Sequence, residues 1–265
     1  MTSKSEDDDL EAGRMPLMDH LVELRNRLVW SLLALLIGFG FCYYFAAEVY
    51  KILMQPLISA FGSVEGRRMI FTNPTEAFFT YLKIAFWGGI MLSFPVISTQ
   101  LYMFVAPGLY KNERRAFLPF LLATPVLFTL GAALNYFFIM PLALRFFLSF
   151  EAPGGEGALP IELETKISDY LNLIMLLTFA FGLSFQLPVL LTLLGRVGLI
   201  SSSGLRSKRK FAIVGVFIFA AIITPPDVIS QVGLALPMIL LYELSIFAVR
   251  AIEKKRDSED EGDTS

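Results

Sequence analysis

The chain has 265 residues, of which 55% are hydrophobic, with a formal net charge of −2 and a mean hydropathy of +0.62. This composition, gathered into long apolar blocks, excludes an ordinary water-soluble protein and indicates a membrane protein with several spans. One cysteine and one histidine exclude an intrachain disulfide and a Cys/His zinc site. Phosphate-binding loops and serine-hydrolase motifs are missing from the sequence, so it predicts neither a cofactor nor a catalytic centre.

The chain begins with an acidic, polar segment, residues 1–14, which predicts a disordered extension rather than the basic start of a cleaved signal peptide. The first span is therefore predicted to be a retained anchor. Next, leucines 17, 21, 24 and 28 recur at spacings of four, three and four. This stripe predicts an amphipathic helix that lies on the cytoplasmic surface before it turns into the first span.

Six apolar stretches predict an all-α membrane domain between residues 15 and 250, with six transmembrane helices. They cover residues 29–47, 77–100, 116–138, 169–194, 211–224 and 228–249. The fifth is short, since its 14 residues rise about 21 Å against a hydrocarbon core of about 30 Å. The sixth is also short in its unbroken apolar part. Such a pair should thin the bilayer or pack against longer neighbours.

Five prolines lie within the predicted spans, and each removes a backbone hydrogen bond and favours a kink. They are Pro95, Pro119, Pro125, Pro188 and Pro237. A single one would be ordinary in a membrane helix, but five together predict kinked helices that form a concave body.

Lysine and arginine are distributed unevenly between the two sets of connecting segments. Sixteen lie in the N-terminus, residues 101–115, residues 195–210 and the C-terminal tail, and five lie in the opposite set. The positive-inside rule therefore predicts that both termini are cytoplasmic. The tail, residues 251–265, is highly charged and is predicted to be disordered.

Two acidic residues lie among these cytoplasmic basic residues. Glu23 precedes Arg27 by four residues, the spacing of an ordinary solvated helix ion pair. Glu113 follows a Pro-Gly turn between the second and third spans and has Lys111, Arg114 and Arg115 as neighbours. From spacing alone, both acids are compatible with plain surface charge.

Four separated motifs, however, carry a resemblance. They are HLVELRNRL, FPVISTQLYMFVAPGLYKNERR, FGLSFQLPV and TPPDVISQ, in this order on a six-span frame. Together they closely resemble the TatC family of twin-arginine protein translocase subunits, over about residues 16–250. The resemblance implies a bacterial inner-membrane receptor without catalytic activity that takes part in the export of folded precursors.

The resemblance also implies partners and site residues. Glu23 and Glu113 match the family's two acidic positions and would bind the arginine pair of a signal peptide, because a carboxylate suits a guanidinium fork. Phe104, Leu109 and Tyr110 would shelter that contact from water. His20 is expected to be a structural or interfacial residue rather than an acid–base group.

In the membrane, the resemblance implies that polar residues dock the single-span helices of TatA and TatB. Thr224 and Gln231 flank the PPD sequence on the two short helices, and Gln186 stands where many family members carry glutamate. A neutral amide there restricts its role to hydrogen bonding. Self-association, membrane lipid as a partner and no nucleic-acid partner are expected.

The rival hypothesis is a secondary transporter or channel for a small solute. Such a protein would need charged residues near the middle of several spans, and this chain offers few. Lys83 and Glu243, the candidates, lie near opposite span ends.

Overall fold

The computed structural model describes residues 17–63, 65–105, 118–155 and 159–262. Its helices are α1 (Leu17–Tyr44), α2 (Ala46–Phe61), α3 (Glu76–Val105), α4 (Leu118–Leu134), α5 (Met140–Leu148), α6 (Ile167–Ser184), α7 (Leu187–Arg196), α8 (Ser202–Ser207), α9 (Arg209–Ile223) and α10 (Val228–Gly262). A π-helical segment, Asn135–Ile139, joins α4 to α5. Two short strands, β1 (Met69–Ile70) and β2 (Thr165–Lys166), pair in parallel.

Among the described residues, five helical stretches are long and apolar enough to cross a membrane. They are His20–Tyr44, Glu76–Phe104, Pro119–Leu148, Ile167–Arg196 and Val228–Lys255. The fifth predicted span corresponds to α9, which has 15 residues and rises about 22 Å. The prediction of a helical membrane protein with a short fifth helix is confirmed, while the count of six spans stays a prediction.

Three predicted boundaries were wrong. The surface helix and the first span are one unbroken helix, α1, because no glycine or proline interrupts the segment where a turn was expected. The third span continues ten residues beyond 138, through the π-helical segment and α5, to Leu148. The tail is helical as far as Gly262 rather than disordered, since its Glu, Lys and Arg residues are good helix formers. Residues 1–14 lie outside the described residues.

The prolines fall into two groups. Pro95, Pro125 and Pro237 lie inside helices, as the kink prediction requires. Pro188 lies in the first turn of α7, where a proline costs no helical hydrogen bond, so it marks a helix start rather than a kink. Pro119 is the second described residue of α4, and the residues just before that helix lie outside the described part of the chain.

Close helix contacts depend on glycine. A Cβ atom on Gly38 of α1 would lie 2.9 Å from the carbonyl oxygen of Gly89 in α3. A Cβ atom on Gly131 of α4 would clash with the carbonyl oxygen of Phe181 in α6. These positions let helix backbones approach directly, which is how membrane helices associate without a hydrophobic driving force between them.

One end of the bundle is closed by a folded cap, which we define as the described residues of 46–76 and 149–166. It contains α2, the β1–β2 pair and an antiparallel bridge between Ala152 and Ile161. Arg67 donates to both carboxylate oxygens of Glu151, at 2.5 and 2.6 Å. Both stretches lack the apolar run of a span, and no element of this cap was predicted from the sequence.

Candidate functional site

At the end of the bundle opposite the cap, α1 turns its polar face towards α3. His20, Glu23 and Arg27 are half-buried, whereas the leucines at 21, 24 and 28 are 58%, 42% and 65% exposed. This arrangement inverts the usual pattern of a soluble amphipathic helix. Surrounding lipid explains this reversed pattern, because the leucine stripe can face lipid while the polar side chains pair with protein groups.

Arg27 links the two helices. Its Nη1 atom lies 3.2 Å from Oε1 of Gln100 and 3.1 Å from the sulfur of Met103, both on α3. Its Nη2 atom lies 3.2 Å from Oε1 of Glu23. The Glu23–Arg27 pair therefore lies within α1 but is part-buried at its junction with α3, rather than being a solvated surface pair.

Glu23 has one carboxylate oxygen engaged and one free. Its side chain is 18% exposed. Its Oε2 atom is buried and has no hydrogen-bond partner in the part of the chain that the structure describes. A buried carboxylate oxygen without a partner is costly, and such a group attracts a hydrogen-bonding cation.

The aromatic part of the site comes from the end of α3. The Phe104 ring stacks on the imidazole of His20, with centroids 4.4 Å apart and an interplanar angle of 19°. This contact gives His20 a structural role and places Phe104 one helical turn from Glu23. Phe104 and Glu23 are thus brought to the same helix junction.

The remaining sequence-based candidates for this site, Leu109, Tyr110 and Glu113, lie outside the described residues. Sequence analysis missed Gln100 and Met103. Met103 and Phe104 follow Gln100 by three and four residues, which places all three on one helix face and could have indicated them.

The three residues expected to dock partner helices lie in different environments. Thr224 is 6% exposed, and its hydroxyl donates to the carbonyl of Ala220 at 3.0 Å. Gln231 is half-buried in the first turn of α10. Asp227 caps that helix, since its Oδ1 accepts the Ser230 N–H at 2.7 Å. Thr224 is therefore a helix-end residue, and Gln231 is the more accessible of the pair.

Gln186 lies at the break between α6 and α7. Its Nε2 atom donates to the carbonyl of Thr124 in α4 at 3.0 Å, and a longer contact of 3.4 Å reaches the carbonyl of Gly182. Its Oε1 atom is buried and unpaired among the residues described. The amide thus holds the broken helix against α4.

Charged residues within the helices have local partners. The Lys83 ammonium in α3 donates to Oδ1 of Asn172 in α6 at 3.3 Å. Glu243 in α10 pairs with Arg209 of α9 at 2.5 Å. Within the described ranges, moreover, three or more His, Cys, Asp or Glu residues nowhere group as a metal site would require. These contacts favour structural roles over a solute pathway.

A family model described as Sec-independent protein translocase protein (TatC) matches residues 19–237. The chain belongs to the TatC family. A TatC protein of Magnetococcus marinus is 48% identical over 92% of this chain and 87% of its own length. That of Escherichia coli K12 is 41% identical over 89% of this chain and 88% of its own length.

A solved structure agrees. A crystal structure of the twin arginine translocase receptor TatC is similar to this chain with a TM-score of 0.74 and 40% identity. The match covers 88% of this chain and 99% of that one. The resemblance found in the four motifs is confirmed. This chain is a multi-pass membrane component of a Sec-independent protein-translocation system.

Proposed function

We propose that this TatC-family chain is the receptor subunit that binds twin-arginine signal peptides of folded precursors at the cytoplasmic face. Glu23 and Glu113 supply the two carboxylates, and Phe104, Leu109 and Tyr110 shelter them. The observation that carries the proposal is the buried, unpartnered Oε2 atom of Glu23 among the described residues.

Arg27 orients the carboxylate of Glu23 for binding an arginine of the signal peptide. It binds Oε1 of Glu23 and is itself anchored on Gln100 and Met103, so the carboxylate is oriented from one side. The second oxygen keeps its lone pairs for an incoming guanidinium. Because water has little access there, a charge-assisted hydrogen bond is stronger than at an open surface.

Peptide affinity tests this proposal. The full-length protein in detergent would be titrated with a labelled peptide that carries an arginine pair, at two salt concentrations. Glu23→Gln and Glu113→Gln should each weaken binding roughly tenfold or more, with the larger loss at Glu113 because Arg27 already partly neutralises Glu23. A peptide with two lysines should bind more weakly, since a point charge lacks the planar fork.

Glu48→Gln is the matched control, because Glu48 is an exposed acid in the first turn of α2, at the opposite end of the bundle. It should leave the affinity unchanged. Wild-type affinity in both single variants and in the double variant would reduce Glu23 and Glu113 to plain surface charges and refute the proposal.

The remaining parts of the proposal concern assembly. TatA and TatB helices dock on the side of Gln231, Thr224 and Gln186, the chain self-associates in the complex, and it carries no catalytic centre. It resides in the bacterial inner membrane with both termini in the cytoplasm.

The orientation rests on the sixteen-to-five basic asymmetry. It is tested by single cysteines at positions 111, 156 and 206 in a Cys42→Ser background. Positions 111 and 206 should react with an impermeant reagent only from the cytoplasmic side, and position 156 only from the other. The reverse pattern would overturn the orientation.

A further inference from the structure

An open groove of about 280 Å³ lies between α2 and β1 in the cap. We call it the cap groove. Most of the described residues that line it are apolar or aromatic, among them Met54, Leu57 and Ile58. Three are cationic, Lys51, Arg67 and Arg68, and none is acidic, although the cap carries acids elsewhere.

The three cations differ in how much charge they leave free. Arg67 is held by Glu151 through two hydrogen bonds and lies 4.8 Å over the Phe61 ring. Its charge is therefore already paired, and its side chain mainly forms one side of the groove. Arg68 has a single 3.2 Å contact with Glu164, with side chains 76% and 59% exposed, and such a pair is weak. Lys51 is exposed and makes no ion pair within the described part of the chain. The groove therefore offers positive charge at Lys51 and Arg68.

Beneath these cations lies an apolar floor. Met54 and Leu57 are buried at its base, and Ile58 remains 40% exposed. A groove with cations beside an apolar floor fits a ligand that is anionic at one end and apolar at the other. A free phosphate ion would leave the floor uncovered.

The groove also lies beside the end of a helix that is long and apolar enough to cross the membrane. The membrane-crossing helix α1 ends at Tyr44, and α2 begins two residues later. Around that end, Phe41, Tyr43 and Tyr44 are at least half exposed. Exposed aromatic residues at a helix end mark the membrane–water interface, where anionic lipids present phosphate to basic side chains.

We propose that the cap groove binds an anionic phospholipid from the adjacent leaflet, with the phosphate at Lys51 and Arg68 and the upper acyl chain along Met54 and Ile58. Lipid is favoured over an acidic peptide because α2, which forms one side of the groove, begins two residues after the exposed aromatic end of α1. The bound lipid would tie α2 to the membrane surface beside the first span.

Lipid retention measures this binding. Full-length protein would be reconstituted in bilayers of phosphatidylcholine with a minor fraction of phosphatidylglycerol, then released and examined by native mass spectrometry. Wild-type protein should retain phosphatidylglycerol well above its bulk fraction. Lys51→Gln and Arg68→Gln should each weaken retention roughly fivefold, and the double variant more. Ile58→Asn should also weaken it, through the acyl-chain contact.

Arg206→Gln with Lys208→Gln is the matched control, because it removes two exposed cations near the opposite end of the bundle. Its retention should equal that of the wild type. The proposal is overturned by unchanged retention in the Lys51/Arg68 variant, by equal loss in the control, or by equal retention of phosphatidylcholine. Displacement of the lipid by inorganic phosphate alone would show an anion site without a lipid, and binding of an acidic peptide in its place would show a protein-docking surface.

Discussion

The hydroxyl of Tyr136 donates a hydrogen bond to the main-chain carbonyl of Ile52, with the two oxygens 2.6 Å apart. Ile52 lies four residues before Pro56, which has no N–H, so this carbonyl has lost its normal helical partner. Next to it, Tyr170 donates to the carbonyl of Leu53 at 2.7 Å. Two tyrosines from the bundle thus donate to carbonyls of α2 and attach the cap to the spans, and Tyr136 takes the place of the missing Pro56 N–H.

Tyr136→Phe should therefore loosen the cap. The variant keeps the ring and removes the donor to Ile52, which should lower the free energy of unfolding by about 0.5–1.5 kcal/mol. Thermal unfolding of the detergent-solubilised protein measures the effect. Tyr43→Phe, at a half-exposed ring on α1, serves as the control. Equal midpoints for the two variants would contradict the role given to Tyr136.

Gly89→Ala should separate α1 from α3. The new Cβ atom would lie 2.7 Å from the Phe39 backbone nitrogen, and backbone cannot move aside as a side chain can. The expected destabilisation is about 1–3 kcal/mol. Gly40→Ala, on the neighbouring helix α1, meets nothing within 4 Å and should be neutral or slightly stabilising. A comparable loss at both positions would show that helix contact is not the cause.

Acid should weaken the cap through Glu151. The hydrogen bonds from Arg67 and from the Leu163 N–H, with the Arg67 charge, lower the pKa of Glu151 to about 2, against partial desolvation that raises it. Because the folded-state pKa is depressed, this carboxylate stabilises the cap fully above its unfolded pKa, near 4.5. That contribution is lost as pH falls from there towards 2.

Hydrogen exchange of residues 159–166 between pH 5 and pH 2.5 measures this loss. In wild-type protein, protection should fall with pH after correction for the intrinsic exchange rate. Glu151→Gln should start with lower protection and show little further change. Glu164→Gln, which removes an exposed carboxylate of the cap but keeps Glu151, should retain the wild-type pH dependence.

Gln231→Leu should weaken association with the TatA or TatB helices roughly three- to tenfold, because an interhelical hydrogen bond of a side-chain amide is lost. Signal-peptide affinity should change less, since Gln231 lies at the end of the bundle away from Glu23. Site-specific crosslinking and peptide titration measure the two quantities. Gln55→Leu, which removes an exposed amide on α2, is the control. Unchanged partner crosslinks with lost peptide binding would contradict the docking proposal.

Much of the membrane topology was predictable from the sequence, because the thickness of a bilayer demands an apolar run of a certain length. Residues 77–100 and 228–249 lie within single helices that the structure describes, and residues 169–194 lie within α6, α7 and the break between them. The same comparison of apolar run length with bilayer thickness predicted that α9 is short. The family was predicted from the four motifs, which occur along the chain in the order and spacing typical of the family. Helix ends were less predictable, since Met140–Leu148 and the charged tail are helical beyond the apolar run.

Periodicity alone identified the leucine stripe of α1 but not the direction it faces. In water that stripe would pack against protein, whereas in a membrane it faces lipid and leaves His20, Glu23 and Arg27 to meet α3. Among the described residues, this packing leaves the Oε2 atom of Glu23 without a partner, because Gln100 and Met103 bind Arg27 from the other side.

The structure of the cap was even less predictable from the sequence than the packing of α1. Arg67 and Glu151 are 84 residues apart, and several other acids of that end had the same charge and similar local sequence. Local rules act over three or four residues, so they could not select this pair. Packing of the spans brought two distant connections together and so paired Arg67 with Glu151. The same packing placed Lys51 and Arg68 next to the apolar residues of the cap groove.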